Sequence, residues 1–295
     1  RSWKLMTGDL PNKHLCWRIV QDHVDPQLFF LATEFGIFTT LDAGQEWHKL
    51  GGGLPTISFR DLEIQRREDD LVAASFGRSF YVLDNYSLLR HVTADSLEND
   101  LHLYPVRRTF WYLQENKLGG RKGYQGDSLY NADNPDYGVV IDYHVKQGWK
   151  SKAAKRKEQE AKVNDAGGDV PTASFAQLQA EEDEVPPRQY LDISDAAGNV
   201  VARLDLALKE GLHKVVWSMR YQGLFSRGSS PIVAPGTYSA LAYRSEGDST
   251  VAIGNKIEFE LESIISPTLP IRDRDDVIKQ LKQMGGVANR AQLMN

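Results

Sequence analysis

Short apolar and β-branched runs, separated by polar turns, occupy the first third of the chain and predict β-strands. The runs recur at an offset of 41 to 42 residues, as Trp17–Val20, Leu31–Phe38 and Leu41-Asp42, and again as Phe59–Leu62, Val72–Gly77 with Phe80, and Leu83-Asp84. A unit of about 40–45 residues with four short strands is typical of one β-propeller blade. The pattern therefore predicts two propeller-like blades over residues 1–96.

Two blades make an incomplete propeller. Propellers usually close with about 4–8 blades, because an open array leaves sheet edges and one-sided apolar cores uncovered. Two blades alone should not be stable. We expect either that further blades lie upstream in the native protein or that another element covers this pair.

A second β-rich region follows, and its strands are predicted at Tyr137–Val145, Arg188–Ser194, Val200–Leu206, His213–Tyr221, Thr237–Arg244 and Lys256–Ile264. The turn Asp195–Asn199 joins two of these runs as a hairpin. Several antiparallel strands with regular turns predict an immunoglobulin-like β-sandwich over residues 137–265. Residues 97–136 are predicted to be a connector.

A helical insertion, residues 148–187, interrupts the sandwich. Lys150–Val163 is rich in Lys, Ala, Glu and Gln and predicts a solvated helix, and Ser174–Glu182 predicts a second helix with Ser174 as its N-cap. The first helix is basic and Glu181–Glu184 is acidic, which favours mutual pairing over two binding tails. Residues 266–295 have helical composition and are predicted to be a truncated helical tail. The fold class is therefore mainly β, with terminal propeller blades and a sandwich.

The most specific motif is Thr40–Trp47, which fits the Asp-box pattern Ser/Thr-x-Asp-x-Gly-x-x-Trp. Asp42 can accept backbone hydrogen bonds, Gly44 can take a positive φ angle, and Trp47 can pack beneath the turn. Thr40, Asp42, Gly44 and Trp47 are therefore predicted to be structural, and Asp42 is not expected to be a catalytic carboxylate.

Three segments carry a resemblance to a known family: this Asp-box, Gly51–Leu62 and Gly77–Asp84. They resemble large bacterial BNR-repeat proteins with a sortilin-like propeller, which are often labelled glycosyl hydrolases by similarity. The resemblance continues through Asn134–Gly138, Phe175–Glu181 and the sandwich. It implies an exported protein that is periplasmic, outer-membrane-associated or extracellular.

The sandwich is similar to immunoglobulin-like domains of the flagellar-hook-cap type, in Asp195–Val201, Gly211–Trp217 and Ala234–Tyr238. That pattern usually has Trp-Asp where this chain has Trp217-Ser218, so any role tied to the acid is absent. The resemblance implies a spacer or docking module. Core packing is the expected role of Trp217 and Tyr238.

Composition and charge limit the partners and the kinds of site that the chain can have. A net charge of -5 disfavours nucleic acid as a partner, and no run of about 18 apolar residues predicts a transmembrane segment. Cys16 is the single cysteine, so no intrachain disulfide forms. The seven histidines show no metal-ligand spacing such as His-Glu-x-x-His, so no metal and no cofactor are predicted.

Glycoside hydrolysis would need two carboxyl groups about 5–5.5 Å or 6.5–9.5 Å apart across a sugar bond. Candidate carboxylates exist, and each is expected to be a solvated turn or edge residue: Asp22, Asp25, Glu34, Glu46, Asp61 and Glu63. No catalytic residue is assigned, and whether the complete protein is an enzyme stays open at this point.

The leading hypothesis is a noncatalytic binding or scaffolding region of an exported bacterial β-propeller protein, with a protein or glycan partner at the cell surface. Aromatic residues in connecting segments are the candidate contacts, although packing onto the propeller is an equal alternative: Trp111, Tyr112, Tyr124, Tyr130 and Trp149. The competing hypothesis is a glycoside hydrolase whose active site needs the complete propeller. A third is a subunit of a cell-surface assembly.

Overall fold

The computed structural model describes residues 5–112, 136–170, 172–222, 230–247, 249–264, 279–280 and 283–284. The described chain is mainly β, with fifteen strands and three α-helices in those ranges. It divides into two compact units, Arg1–Thr93 and Ala94–Asn295, called unit 1 and unit 2. None of the described helices has the length and apolar character that crossing a membrane requires.

Unit 1 begins with a four-stranded antiparallel sheet in which each strand pairs with the next along the chain. Its strands are β1 (Cys16–Gln21), β2 (Phe29–Thr33), β3 (Gly36–Thr40) and β4 (His48–Lys49). The β-branched and aromatic residues of β2 and β3 suit a sheet that is buried on both sides. The sheet has the four short strands that the sequence predicted for this unit.

The second sheet of unit 1 repeats the order with three strands, β5 (Phe59–Gln65), β6 (Asp70–Ser75) and β7 (Phe80–Leu83). In both sheets the first strand pair has an irregular register at the same place, between Cys16 and Arg18 in β1 and between Phe59 and Asp61 in β5. The sequence repeat is therefore also a repeat of backbone irregularity.

One apolar core joins the two sheets of unit 1. Its buried members come from β2 and the residue before it, from β3, β5 and β6, and from a 3-10 helix over Tyr86–Arg90. They are Leu28, Phe30, Ala32, Ile37, Phe59, Leu62, Ile64, Leu71, Ala73 and Tyr86. A smaller cluster on the other side of the first sheet contains Leu31, Phe38 and Trp47. The first sheet therefore has apolar contacts on both faces.

Unit 2 contains a three-stranded and a five-stranded sheet. Its elements are α1 (Ala94–Glu98), β8 (Leu101–Leu103), β9 (Thr109–Trp111), β10 (Val139–Val145), α2 (Lys152–Asp165), α3 (Phe175–Glu182), β11 (Arg188–Asp195), β12 (Val200–Asp205), β13 (Gly211–Trp217), β14 (Gly236–Glu246) and β15 (Ser249–Ser263). The sheet orders are β13-β10-β8 and β12-β11-β14-β15-β9, and β9 pairs with β15 in parallel. A single apolar core draws on both sheets, with Trp217 among its members.

The range 97–136, predicted to be a connector, supplies strands to unit 2 where it is described. β8 joins the three-stranded sheet and β9 joins the five-stranded sheet. The side-chain amide of Asn255 donates to the carbonyl of Leu103 and accepts from its backbone N–H, at 2.9 and 2.8 Å. These two bonds satisfy the backbone of β8 on the side that faces away from β10.

β15 begins at Ser249, earlier than the predicted start at Lys256. The pairing of β14 with β15 shifts register between Ala240 and Ala242, close to Gly254. Gly254 has a φ angle of +75°, and a Cβ atom there would lie 2.4 Å from the carbonyl oxygen of Leu101. Only glycine allows this approach, so an isolated glycine in the sequence marks an irregularity inside a longer strand.

The two helices of the insertion are confirmed as α2 and α3. Ser174 accepts a hydrogen bond from the backbone N–H of Gln177 in a capping box, as its predicted N-cap role requires. Arg156 on α2 donates to both carboxylate oxygens of Glu181 on α3, at 2.6 and 3.0 Å. The predicted mutual pairing is therefore present, and neither helix has a buried residue in the described structure. The predicted tail, 266–295, lies almost wholly outside the described residues.

Candidate functional site

The first strands of the two sheets, β1 and β5, form the candidate site, which we call the inner-strand surface: Trp17, Arg18, Arg60, Asp61 and Glu63. Trp17 and Arg60 are each the second residue of their strand, where the register is irregular. The guanidinium carbon of Arg60 lies 3.7 Å from the centroid of the Trp17 ring and 5.1 Å from that of Phe76. The two irregularities therefore bring an exposed aromatic–cation stack together.

A shallow cleft of about 260 Å³ lies beside this stack, with Arg18, Gln21, His23, Glu63 and Arg66 among its lining residues. Arg18 lies 3.4 Å from Asp61 and 3.9 Å from Glu63, and all three side chains are more than half exposed. Their ion pairs are therefore weak and can be exchanged for a ligand. The cleft offers hydrogen-bond donors, acceptors and an aromatic surface, which suits a polar partner.

The second sheet has an outward side that we call the open face: Val72, Ala74, Phe76, Phe80 and Val82. Cross-strand pairs place Ala74 opposite Phe80 and Val72 opposite Val82, so these side chains share one side of the sheet. Phe80 is 69% exposed and Val82 is 54% exposed. The other side of the same strands packs in the core of unit 1. β6 and β7 are thus apolar on both sides, and one side is uncovered in the described structure.

A buried charged cluster, the Asp22 clasp, joins the two sheets of unit 1 and was not predicted. Asp22 accepts from Nε and Nη2 of Arg90, both at 2.8 Å, and from the hydroxyl of Tyr86 at 2.6 Å. The Asp22 side chain is 0% exposed and that of Arg90 is 11% exposed. Arg90 also contacts Asp69, in the turn between β5 and β6, at 2.6 Å. The expectation that Asp22 is solvated is wrong.

The chemistry of the clasp is structural. Burial alone would raise the pKa of Asp22, but the hydrogen bonds from Arg90, Tyr86 and the backbone of Asp25 hold that pKa well below its ordinary value. Burial and the hydrogen bond to Asp22 raise the pKa of Tyr86. Asp22 is therefore a fully engaged carboxylate with no proton to give, and it does not act as a general acid. Only its distant partners in the sequence explain its burial.

The other candidate carboxylates accept hydrogen bonds from nearby backbone N–H groups or are exposed. Asp25 accepts from the backbone N–H of Gln27 at 2.9 Å, and Glu34 accepts from that of Leu15 at 3.3 Å. Asp61 and Glu63 are exposed partners of Arg18, and Glu46 is exposed.

The Asp-box turn is held by its own residues. Asp42 accepts from the hydroxyl of Thr40 at 2.7 Å and from the backbone N–H groups of Gln45 and Glu46 at 2.9 and 3.0 Å. These bonds, first of all the one from Glu46, lower the pKa of Asp42. Gly44 has a φ angle of +86°. Every acceptor bond of Asp42 serves the turn, which supports a structural role.

Trp47 lies beneath this turn and is buried. Its indole N–H donates to the carbonyl of Met6 at 2.9 Å, and its backbone N–H donates to the carboxylate of Asp9 at 2.7 Å. The Asp-box therefore anchors the segment that precedes β1. That contact is 41 residues away in the sequence, so the motif pattern did not indicate it.

The aromatic residues proposed as contacts are largely engaged where they are described. Trp111 packs against the core of unit 2, and its indole N–H donates to the carbonyl of Val233 at 2.7 Å. Tyr112 contacts the ring of Tyr137, with centroids 5.1 Å apart, and Trp149 is half-buried. Tyr124 and Tyr130 lie outside the described residues. Unit 1 instead brings exposed aromatic residues together with Arg60, at Trp17 and Phe76.

Metal-ligand clusters are absent from the described ranges, in the sense that no three His, Cys, Asp or Glu side chains there are arranged to hold an ion together. Cys16, at the start of β1, is exposed. No nucleophile with an adjacent base was found in the site. The inner-strand surface is therefore suited to binding and offers no catalytic arrangement among the residues described.

Comparison with known proteins gave no family match and no match among curated proteins. Among solved structures, the extracellular domain of the hybrid two component system BT4673 from B. thetaiotaomicron is similar over 86% of this chain, at 9% identity and a TM-score of 0.21. The BSP domain of a biofilm associated protein is similar over 86% of this chain, at 7% identity and a TM-score of 0.21. The match covers 26% of each of those chains, so this chain spans about a quarter of their length. Neither a family nor a function is taken from values this low.

Proposed function

We propose that this chain is a noncatalytic binding or scaffolding region of an exported bacterial protein, and that unit 1 supplies its contact surfaces. The observation that carries the proposal is the open face. A sheet with one solvated side shows alternating apolar and polar residues, whereas a sheet covered on both sides is apolar throughout. The runs Leu71–Ala74 and Phe80–Leu83 are apolar throughout, as in a sheet that lies between two others.

The proposed occupant of the open face is a further β-sheet of the same protein, stacked as the next blade of a propeller. Sheets stack about 10 Å apart, with side chains of the facing sides interdigitated. Phe80 and Val82 have the size and spacing for such a contact. The first sheet of unit 1 already packs in this way against the second. The proposal extends that arrangement by one sheet.

The inner-strand surface is the proposed site for an external partner, which we take to be a protein or glycan at the cell surface. In a propeller the first strand of each blade lines the central channel, so the aromatic–cation stack and the charged cleft would face that channel together. The sandwich of unit 2, with its closed core, would serve as a spacer that supports the binding part. The exported, cell-surface setting rests on the resemblance to BNR-repeat proteins.

The test substitutes the open face in two contexts. The double variant Phe80→Glu and Val82→Glu should change the free energy of unfolding of this chain by less than about 0.5 kcal/mol, because both side chains are solvated. The same change in the native protein should destabilise it by about 3 kcal/mol or more, because two charges would be buried without partners. Val251→Glu, at an exposed position of β15 in unit 2, is the matched control and should be tolerated in both.

An unchanged stability of the native double variant would overturn the proposed packing. A separate assay addresses catalysis: the native protein is incubated with glycans and the release of reducing sugar is measured. Release that disappears when Asp61 and Glu63 are replaced by Asn and Gln would replace this proposal with the glycoside hydrolase hypothesis. We expect no release.

A further inference from the structure

Two histidines of unit 2 lie side by side on the outer side of the three-stranded sheet. His102 is the central residue of β8 and pairs with His144 of β10. Their neighbours along the strands, Leu101, Leu103, Tyr143 and Val145, are all buried in the core. Because side chains alternate along a strand, both imidazoles project from the opposite side of the sheet.

The hydrogen bonds of the strand pair determine how close the two residues are. Tyr104 donates to the carbonyl of Asp142 at 3.0 Å, and Lys146 donates to that of Asp100 at 3.1 Å. These bonds flank His102 and His144 symmetrically, which makes them a hydrogen-bonded pair with a Cα separation of about 5.5 Å. The Cβ atoms of such a pair are about 4.5–5.5 Å apart, so one ion can be reached from both rings.

One ring nitrogen of the pair has no partner in the protein. Nδ1 of His144 is buried and has no hydrogen-bond partner. Nδ1 of His102 lies 3.3 Å from the side-chain nitrogen of Asn99, directly after α1. Burial is the main cause that lowers the pKa of both imidazoles, and the charge of His144 adds to it for His102. Two adjacent imidazoles, one of them with a buried nitrogen that has no partner, can serve as ligands for a transition metal.

We propose that His102 and His144 form a two-histidine binding site for a divalent transition-metal ion such as Zn²⁺. Histidine nitrogens bind Zn²⁺ at about 2.0–2.1 Å, and water would complete the tetrahedral coordination because the described residues include no third clustered ligand. When the ion binds Nε2 of His102, Nδ1 carries the proton, and the Asn99 amide would have to turn so that its oxygen accepts from that N–H as an outer partner. The ion would tie β8, which follows the unit boundary closely, to the central strand β10.

Motif reasoning could not find this pair. The two histidines are 42 residues apart in the sequence, and strand register alone makes them neighbours. The site is independent of the proposed function, because it lies in the sandwich and uses none of the residues of unit 1.

The experiment titrates the whole chain with ZnCl₂ in a buffer that does not bind metals, at pH 7.5, by isothermal calorimetry. Variants His102→Gln and His144→Gln remove one ligand each. His213→Gln is the matched control, because His213 lies on β13 of the same sheet and its Nε2 contacts the carbonyl of Lys209 at 2.7 Å. We expect one Zn²⁺ site per chain in the wild type and the control. Each ligand variant should bind more than about tenfold more weakly, the least that even an outer partner of a metal ligand contributes.

A second measurement keeps the test valid if a variant folds poorly. Imidazole NMR signals of His102 and His144 in the wild-type chain should shift together with one equivalent of Zn²⁺, while that of His213 stays unchanged. Zinc binding that is equally strong in both ligand variants, or signals of His102 and His144 that do not move, would overturn the proposal.

Discussion

Unit 1 and unit 2 cover the apolar sides of their sheets in different ways. Unit 2 encloses one apolar core between two sheets, with Trp217 and Tyr238 in edge-to-face contact inside it. Unit 1 joins two sheets through a smaller core and a buried charged clasp, and leaves the open face uncovered. The comparison teaches that unit 2 encloses its core between its own two sheets, whereas unit 1 presents an apolar side of a sheet that another sheet can cover.

An Arg–Asp ion pair occurs in both units with different surroundings. Arg90 and Asp22 are almost fully buried, while Arg188 of unit 2 donates from Nε to Asp205 at 2.8 Å and both of these side chains are more than half exposed. Removing one partner of a buried pair leaves an unpaired charge in the protein interior. Removing one partner of an exposed pair leaves a solvated charge. The pairs therefore allow the comparison to be tested directly.

The largest effect is expected from Arg90→Met. Asp22 would be buried without its cation, and unit 1 should lose about 3–5 kcal/mol of stability. Urea unfolding followed by hydrogen exchange of β2 amides measures this loss. Arg188→Met is the matched control in unit 2 and should cost about 1 kcal/mol or less, because Asp205 stays solvated. Equal losses in the two variants would contradict the difference between the units.

Two phenylalanine substitutions compare the buried core of unit 1 with its open face. Phe30→Ala removes a fully buried ring that packs on Tyr86, with centroids 5.0 Å apart, and should cost about 3–5 kcal/mol. Phe80→Ala removes a ring of the open face and should change stability by less than about 0.5 kcal/mol. Thermal unfolding of the chain compares the two. A large loss for Phe80→Ala would show that its ring is already buried by the chain in solution.

Acid should destabilise unit 1 through Asp22. The folded pKa of Asp22 is below its unfolded value, so its contribution is fully present above about pH 4 and is lost as pH falls further. Burial raises the pKa of Asp142 in unit 2, so protonation of that carboxyl relieves a cost and favours the folded state. Hydrogen exchange of each unit from pH 5 to pH 3 should show an earlier loss in unit 1. Asp22→Asn should remove much of that pH dependence, and an unchanged profile would rule out the clasp as its cause.

The smallest effect is expected in the helical insertion. Arg156→Gln removes the ion pairs to Glu160 and Glu181 and should cost less stability than the substitutions above, because these pairs join two helices that have no buried residue. Exchange of α3 amides should become faster, and added salt should have the same effect in the wild type. Lys157→Gln is a matched control on α2 and should leave that exchange unchanged. Exchange of α3 that is insensitive to both salt and Arg156→Gln would show that other contacts hold the helices.

Local pattern predicted the parts of this molecule that local physics determines. Alternation located most strands, Ser174 indicated a helix start, and Asp42 indicated a tight turn. Long-range partners determine the rest. Asp22 is buried because Arg90 lies beside it, 68 residues later in the chain, and β9 pairs in parallel with β15 across most of unit 2. Neither partner can be identified from the residues on either side of the segment.

The same distinction between local pattern and long-range contact applies to the candidate site. The sequence indicated aromatic contacts in connecting segments, and Trp111 instead packs on the core. The stack of Trp17 and Arg60 depends on two strand irregularities at matching positions, which hydrophobic alternation does not reveal. The sequence repeat was a partial signal, because it aligns the strand of Trp17 with the strand of Arg60 but pairs Trp17 with Phe59.

The most direct test of the open face is the accessibility of a thiol at position 80. Phe80→Cys is made in a Cys16→Ser background, and its rate of modification by a maleimide is measured in this chain and in the native protein. We predict rapid modification in this chain and protection of at least about tenfold in the native protein, as expected when the site opens only by disrupting packed structure. Equally rapid modification in both would contradict the account, because the open face would then be solvent-exposed in the native protein as well.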